Sequence, residues 1–495
     1  MSEGGPGKRF PNSRPRGNQR TGEPSARWLA FLAVQSFAQK GLFVSKSLDR
    51  LYEEYPTLPR DRQFATELAA ETIRRGLTID TILEQYVTRP RENVEPELWL
   101  LLQLGCCQLL FLPQVPPHAA IHETVSLCDR IQKPRAKGFV NGVLRNLDRD
   151  ASQLGPVMQP GVTPSSVSLD QLESHLLPIY EFRGPMHRWR TISFPKKIFV
   201  NPHQHPLEYL AEVCSLPHWL VQRWAAENVD TDQLLNRGLW FTSPGRVSLR
   251  VNLNKTTREA VLNVLQESGI EAGLGVLPES IVLAGSLSPR DIPVFHDGWF
   301  SVQDESAMHA AVRLDPNPGE RILDLCASPG GKTCHLAELL RETGEVVACD
   351  LSETRLRPVR ENISRLGLEN IEVCIVDEDG SNLPEGPFDA ALVDAPCSNT
   401  GVLGKRAEAR WRILPTTFDD LVPLQRRLLT DAISRVKPGG RILYSTCSID
   451  RQENQDVVQS VIASDPRVRL VSEHFHEPGE PADGGYQALL RLQPV

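Results

Sequence analysis

The sequence contains no apolar run approaching the roughly 18 residues that a membrane span needs. Residues near Met1 lack the apolar core of an export signal, so no export is expected. There is no CxxC pair and no His/Cys cluster, so no metal site is expected. The ten cysteines are scattered, with Cys106 and Cys107 adjacent and most others inside apolar patterns. That is no disulfide framework, and a reducing, cytoplasmic setting is expected. Surplus basic charge is missing too. A net charge of −8 argues against wholesale coating by a nucleic acid, while leaving room for a local basic groove.

What is present is an ordinary globular composition, 40 % apolar and 23 % charged, in 495 residues. At about 150 residues per domain that is roughly three domains. Residues 1–25 are rich in Gly, Pro, Arg and Ser and almost devoid of apolar side chains, which predicts a disordered, mildly basic arm. Residues 26–150 carry apolar positions at helical spacing, including Trp28, Phe31, Leu32 and the run Leu98 to Leu112. Prolines 56, 59, 90, 113, 116 and 117 punctuate them, which predicts an all-helical bundle. Residues 151–205 have poor periodicity and read as a linker with partial order. It holds a basic-aromatic patch of Arg183, Arg188, Trp189, Arg190, Lys196 and Lys197. Residues 206–300 read as a small α+β unit, with a helix at His218 to Glu227, a strand at Ser248 to Asn252 and a helix at Thr257 to Gly269. Residues 301–495 alternate strands and helices, the pattern of a doubly wound α/β sheet.

The first strand of that region, Arg321 to Leu325, runs into Cys326-Ala327-Ser328-Pro329-Gly330-Gly331-Lys332-Thr333. This nearly matches the phosphate-binding loop of nucleotide hydrolases. Two features oppose that rival reading. Cys326 replaces the motif's first glycine, and Pro329 lacks the N–H a phosphate cradle uses. Gly330 and Gly331 instead allow close backbone approach at a helix start, which favours a carboxylate. The second strand ends at Asp350, about 20 residues further on, where an acid holds ribose hydroxyls. A ligand with a ribose and an amino-acid carboxylate but no phosphate is S-adenosylmethionine. The third strand ends at Asp377, a candidate for the adenine. Asp379 lies two residues beyond, and Asp377 is preferred for its place at the strand end.

Two later strands end in cysteine-bearing turns, Asp394-Ala395-Pro396-Cys397-Ser398 and Thr446-Cys447-Ser448. Ligands of open α/β sheets bind beyond the carboxyl ends of the strands, so both thiols face the cofactor crevice. A thiolate adding to carbon 6 of cytosine breaks its aromaticity and makes carbon 5 nucleophilic enough to accept a methyl group. A carboxyl group such as Asp394 can hold the N3 proton that stabilises the adduct. Spacing and chemistry alone do not choose between the thiols.

These stretches, with Glu453-Asn454, Val302-Gln303-Asp304-Glu305 and Leu249-Arg250-Val251-Asn252, resemble the RsmB-type (Sun/Fmu) bacterial 16S ribosomal RNA cytosine-5 methyltransferases. Pro116-Pro117-His118-Ala119-Ala120 and the run Lys137 to Asn146 are similar to the NusB-like RNA-binding domain. The resemblance implies a NusB-like bundle, a small RNA-binding unit and a Rossmann-like methyltransferase domain. It implies that Cys447 attacks carbon 6 and that Cys397 assists product release. Cofactor contacts would fall on Cys326, Ala327, Ser328, Pro329, Gly330, Gly331, Lys332, Asp350, Asp377 and Asp394. The implied partner is RNA, small-subunit ribosomal RNA first and transfer RNA as the alternative. A monomer is expected, and a non-catalytic RNA-binding antitermination scaffold is the rival from a different class. After Gly401 the family's usual Arg-His-Pro run is replaced by Lys405 to Arg412, a basic stretch with one aromatic suited to a phosphate backbone and a stacked base.

Overall fold

The computed structural model describes residues 24–151, 167–183, 186–227, 229–283, 292–341, 343–479 and 482–494, without the side chains of 181–189. The predicted basic arm and the first part of the predicted linker lie outside the described residues. Seven helices open the chain: α1 (Ala26–Lys40), α2 (Val44–Glu54), α3 (Pro59–Arg74), α4 (Gly76–Glu84), α5 (Pro96–Phe111), α6 (Pro117–Arg130) and α7 (Lys137–Ala151). Two of the punctuating prolines, Pro59 and Pro117, start α3 and α6, and Pro96 starts α5, where a missing N–H costs nothing. Helix α5 is apolar nearly all round and runs through the middle of the core. Gly105 lets α7 approach it, since a Cβ there would lie 2.5 Å from Leu144.

The segment read as a linker carries a β-hairpin, β1 (Leu176–Arg183) and β2 (Met186–Ser193). Leu177, Ile179 and Tyr180 are buried against the helical core. Pro178 interrupts the strand pattern, and a two-stranded sheet tolerates it because both strands are edges. Of the basic-aromatic patch whose side chains are described, Arg190 donates to Leu110 O (2.7 Å) and Lys196 lies over the Tyr86 ring. Those two serve packing against the bundle.

Helices α8 (Pro206–Cys214), α9 (His218–Ala226) and α10 (Thr231–Phe241) join the helical core instead of the sheet that follows. That sheet comprises β3 (Val247–Val251), β4 (Ala272–Leu274), β5 (Ser280–Leu283) and β6 (Phe300–Val302) in the order β4-β5-β3-β6, all antiparallel. With α11 (Arg258–Glu267) it encloses a separate core around Leu249, Val261 and Phe300.

The last unit runs α12 (Glu305–Leu314), β7 (Arg321–Asp324), α13 (Gly331–Leu340), β8 (Glu345–Asp350), α14 (Glu353–Leu366), β9 (Ile371–Ile375), β10 (Phe388–Asp394), α15 (Ala409–Arg412), α16 (Thr417–Arg435), β11 (Val436–Thr446), α17 (Gln455–Ser464), β12 (Val468–His476) and β13 (Gly485–Leu492). Its seven-stranded sheet has the order β12-β13-β11-β10-β7-β8-β9, with β13 antiparallel to its neighbours. Strand order reverses between β7 and β10, a switch point that opens a crevice at the carboxyl edge. One apolar layer packs α12 and α13 on one face, and another packs α16 and α17 on the other.

Candidate active site

Every sequence-predicted site residue lies at or just beyond the carboxyl edge of this sheet. The glycine loop leaves β7, Asp350 ends β8, Asp377 follows β9, Asp394 ends β10 and Cys447 follows β11. Gly330 sits at φ +99°, a backbone region that L side chains rarely adopt, and it caps α13 with no side-chain partner. The first N–H groups of α13 therefore remain available to an anion. Asp324 accepts from Thr333 Oγ1 (2.6 Å), while its buried Oδ1 finds no partner among the described residues. Burial pushes this carboxyl up to about 7. An uncapped helix start beside an orphaned acidic oxygen suits a carboxylate next to an ammonium, the amino-acid end of S-adenosylmethionine. Asp350 accepts from Ser328 N (3.0 Å) and Leu351 N (2.8 Å) and is paired with Arg355, a residue that sequence reasoning missed. Asp377 and Asp379 are both exposed and both contact Ser381.

Lys332 Nζ reaches from the glycine loop to Asp394 Oδ2 at 2.6 Å. Burial opposes its charge, but the Asp394 carboxylate holds Lys332 above the ordinary lysine range. Beyond this pair stand the thiols. Cys397 Sγ and Cys447 Sγ are 3.2 Å apart, and both side chains are partly exposed. Cys447 Sγ donates to Asn399 Oδ1 (3.3 Å), which also accepts from Arg406 Nη1 (2.7 Å). The hydrogen bond from Cys397 holds Cys447 below the ordinary thiol range against burial, and Arg406 and Lys332 add to it. The same bond, with burial, pushes Cys397 well above that range.

Buried polar groups lock the two turns. Glu453 accepts from Ser398 N (2.8 Å), Ser398 Oγ and Gln425 Nε2 (3.0 Å). Asn454 accepts from Thr446 Oγ1 and donates to Ser448 O (2.9 Å). Gly401 N donates to Cys447 O (2.9 Å), and a Cβ on Gly401 would fall 2.4 Å from Gly484 O. Glu453 and Asn454 were visible in the sequence only as part of a motif. Asn399 and Arg406 left no separate signal, because their partners come from turns 48 and 7 residues away in the chain.

Arg250 of β3 is fully buried and pairs with Glu338 (2.8 Å), contacts Gln303 and donates to Gly331 O (2.7 Å). The small antiparallel unit thus grips the glycine loop from behind. The stretch Lys405 to Arg412, expected to face RNA, leaves Arg406 and Arg412 exposed but turns other side chains into the fold. Lys405 is paired with Asp304 and Asp483, Arg410 is fully buried, and Trp411 Nε1 donates to Ile73 O (2.9 Å). Arg74 and Arg75 are buried against Glu71.

Comparison with known proteins agrees with this architecture. A family described as 16S rRNA methyltransferase RsmB/F matches residues 311–495, the NusB family matches 24–149, and an RsmF/B-like ferredoxin-like domain matches 216–289. The probable ribosomal RNA small subunit methyltransferase B of Synechocystis sp. is 33 % identical over 443 residues, covering 88 % of each chain. The ribosomal RNA small subunit methyltransferase B of Klebsiella pneumoniae is 30 % identical over 475 residues, covering 94 % of each. Among solved structures, that of PH0851 superposes with a TM-score of 0.69 at 23 % identity, covering 94 % of this chain and 98 % of that one, a likeness of fold. The chain belongs to the RsmB/F family of 16S rRNA methyltransferases, whose methyl donor is S-adenosylmethionine, and it carries a NusB-type helical domain on its N-terminal side.

Proposed function

We propose that the protein methylates carbon 5 of a cytosine in small-subunit ribosomal RNA through a covalent adduct between Cys447 and carbon 6. The observation that carries this reading is the 3.2 Å approach of two thiols beside the Lys332–Asp394 pair, at the end of the sheet where the glycine loop lies. S-adenosylmethionine supplies an electrophilic methyl group when bound. The uncapped start of α13 suits its carboxylate, Asp324 its ammonium, Asp350 its ribose and Asp377 its adenine. Cys447 attacks carbon 6 as the thiolate, for which Arg406 and Lys332 provide positive charge. Asp394 holds the N3 proton that stabilises the adduct. Once carbon 5 carries the methyl group, water takes its proton, the carbon–sulfur electron pair returns to sulfur and Cys447 departs as the thiolate. Cys397, within hydrogen-bond reach of that sulfur, assists the departure. The target base must be unstacked to reach the thiols.

Incubation with labelled S-adenosylmethionine and under-modified 16S ribosomal RNA, followed by bisulfite mapping, tests the reading. Label at a single cytosine is expected. Label in transfer RNA alone would move the substrate. RNA binding with no label in any RNA would favour the scaffold.

A further inference from the structure

The chain that leaves the Cys397 turn does not return directly to the sheet. It crosses into the N-terminal helical domain before α16 begins. Arg410, with none of its surface exposed, donates Nη1 to Arg74 O (2.9 Å), Ser215 O (3.0 Å) and Cys214 O (3.4 Å). Its Nη2 donates to Phe241 O (2.7 Å) and Leu403 O (2.8 Å). Arg74 is the last residue of α3, Cys214 and Ser215 close α8, and Phe241 is the last residue of α10. One guanidinium therefore satisfies carbonyls at the C-termini of three helices, whose partial negative charge offsets the desolvation of a buried cation. Arg74 Nε returns a bond to Gly404 O (3.0 Å), Arg412 Nη1 donates to Gly41 O (2.9 Å), and Glu408 accepts from Val44 N (3.1 Å). Lys405 fastens the near end of the segment to Asp304 and Asp483.

Arg406 sits between these anchors. Its side chain is exposed and reaches Asn399, the residue that Cys447 contacts. A long arginine keeps such a position only when its backbone is fixed. We propose that the segment from Gly401 to Arg412 is a strut by which the N-terminal helical domain holds Arg406 and Asn399 against Cys447, with Arg410 as its positioning residue. The helical domain thereby acts on the nucleophile as well as on any RNA it grips. This inference rests on Cys447 being the nucleophile.

The test uses the full chain. The rate of Cys447 alkylation by iodoacetamide is followed against pH by mass spectrometry, alongside kcat and KM for methylation. Arg406→Gln and Arg410→Lys are each expected to raise the pH midpoint of alkylation by about one unit. Each is expected to lower kcat about tenfold with KM for RNA within about twofold. Arg406→Lys, which keeps the charge, should restore most of the midpoint. An unmoved midpoint with unchanged kcat in Arg410→Lys, or a loss confined to KM, overturns the strut. Should Arg410→Lys fail to fold, Trp411→Phe loosens the same seam more mildly, removing the bond to Ile73 O and part of a ring packed beside Gly76. A smaller shift in the same direction then supports the strut, and no shift overturns it. Cys447→Ser separates the two readings. If that variant still methylates, the nucleophile assignment fails. If it is inactive while the arginine variants match the wild type, the strut alone fails.

Discussion

Cys397 and Cys447, fifty residues apart in the chain, bring their sulfurs to 3.2 Å at the ends of adjacent parallel strands. Shared hydrogen bonding in so close a pair makes the two thiols unequal: one is held down and the other pushed up. That inequality suits the different tasks proposed for them. Cys447→Ala should abolish methylation, a loss of at least about 10³-fold for a missing nucleophile. Cys397→Ala should allow attack but slow elimination, leaving a protein–RNA band that survives denaturing electrophoresis. The opposite pattern would exchange the roles.

The same proximity makes the pair sensitive to oxidation. Attack of the Cys447 thiolate on hydrogen peroxide gives a sulfenic acid and releases hydroxide; Cys397 then displaces water to form a disulfide. Peroxide should inactivate the enzyme with loss of two titratable thiols, and dithiothreitol should restore both. In Cys397→Ala, peroxide should instead leave a sulfenic acid that a dimedone probe labels. Inactivation that dithiothreitol fails to reverse in the wild type would contradict this.

Asp324 links the strand that enters the glycine loop to pH. Its folded carboxyl titrates at about 7, raised chiefly by burial. From the unfolded value upward, the unfolded chain releases this proton while the folded chain keeps it. Stability therefore falls as pH rises from about 4 to about 7 and levels off above that. Asp324→Asn removes the penalty, on the order of 4 kcal/mol at pH 8 and smaller at pH 5. The difference in melting temperature between variant and wild type should thus be larger at pH 8. Equal differences at both pH values would show that the group does not titrate in this range.

Arg250 is the buried fastener between the antiparallel unit and the glycine loop. Arg250→Met leaves the Glu338 carboxylate buried without its cation, which should cost roughly 3–5 kcal/mol. The double variant Arg250→Met/Glu338→Leu should recover much of that stability in urea denaturation, yet still bind S-adenosylmethionine weakly by calorimetry, because the guanidinium no longer ties Gly331 O to β3. Full recovery of binding would mean that the arginine serves packing alone.

Much of this site was legible in the sequence because strand ends are. An apolar strand followed by Gly-Gly, or by Pro-Cys, announces its place at the edge of a parallel sheet. The parts that escaped depend on distant partners. Pro178 hid a strand that survives only because both strands of its hairpin are edges. The run Lys405 to Arg412 reads in sequence as a basic stretch for a phosphate backbone, whereas the burial of Arg410 within it follows from the ends of α3, α8 and α10 meeting at one point, which no local pattern encodes. Position after a strand picked out Asp350, Asp377 and Asp394, but Arg355, which holds Asp350, left no such signal, because salt-bridge partners on an exposed helix face look like any surface charge.

Arg410 also limits how this architecture can be taken apart. A catalytic fragment expressed without its helical partner would carry a cation shaped to fit three missing helix ends. The helical piece alone would present those bare carbonyls to solvent. Exchange of either part between relatives therefore has to carry the seam with it.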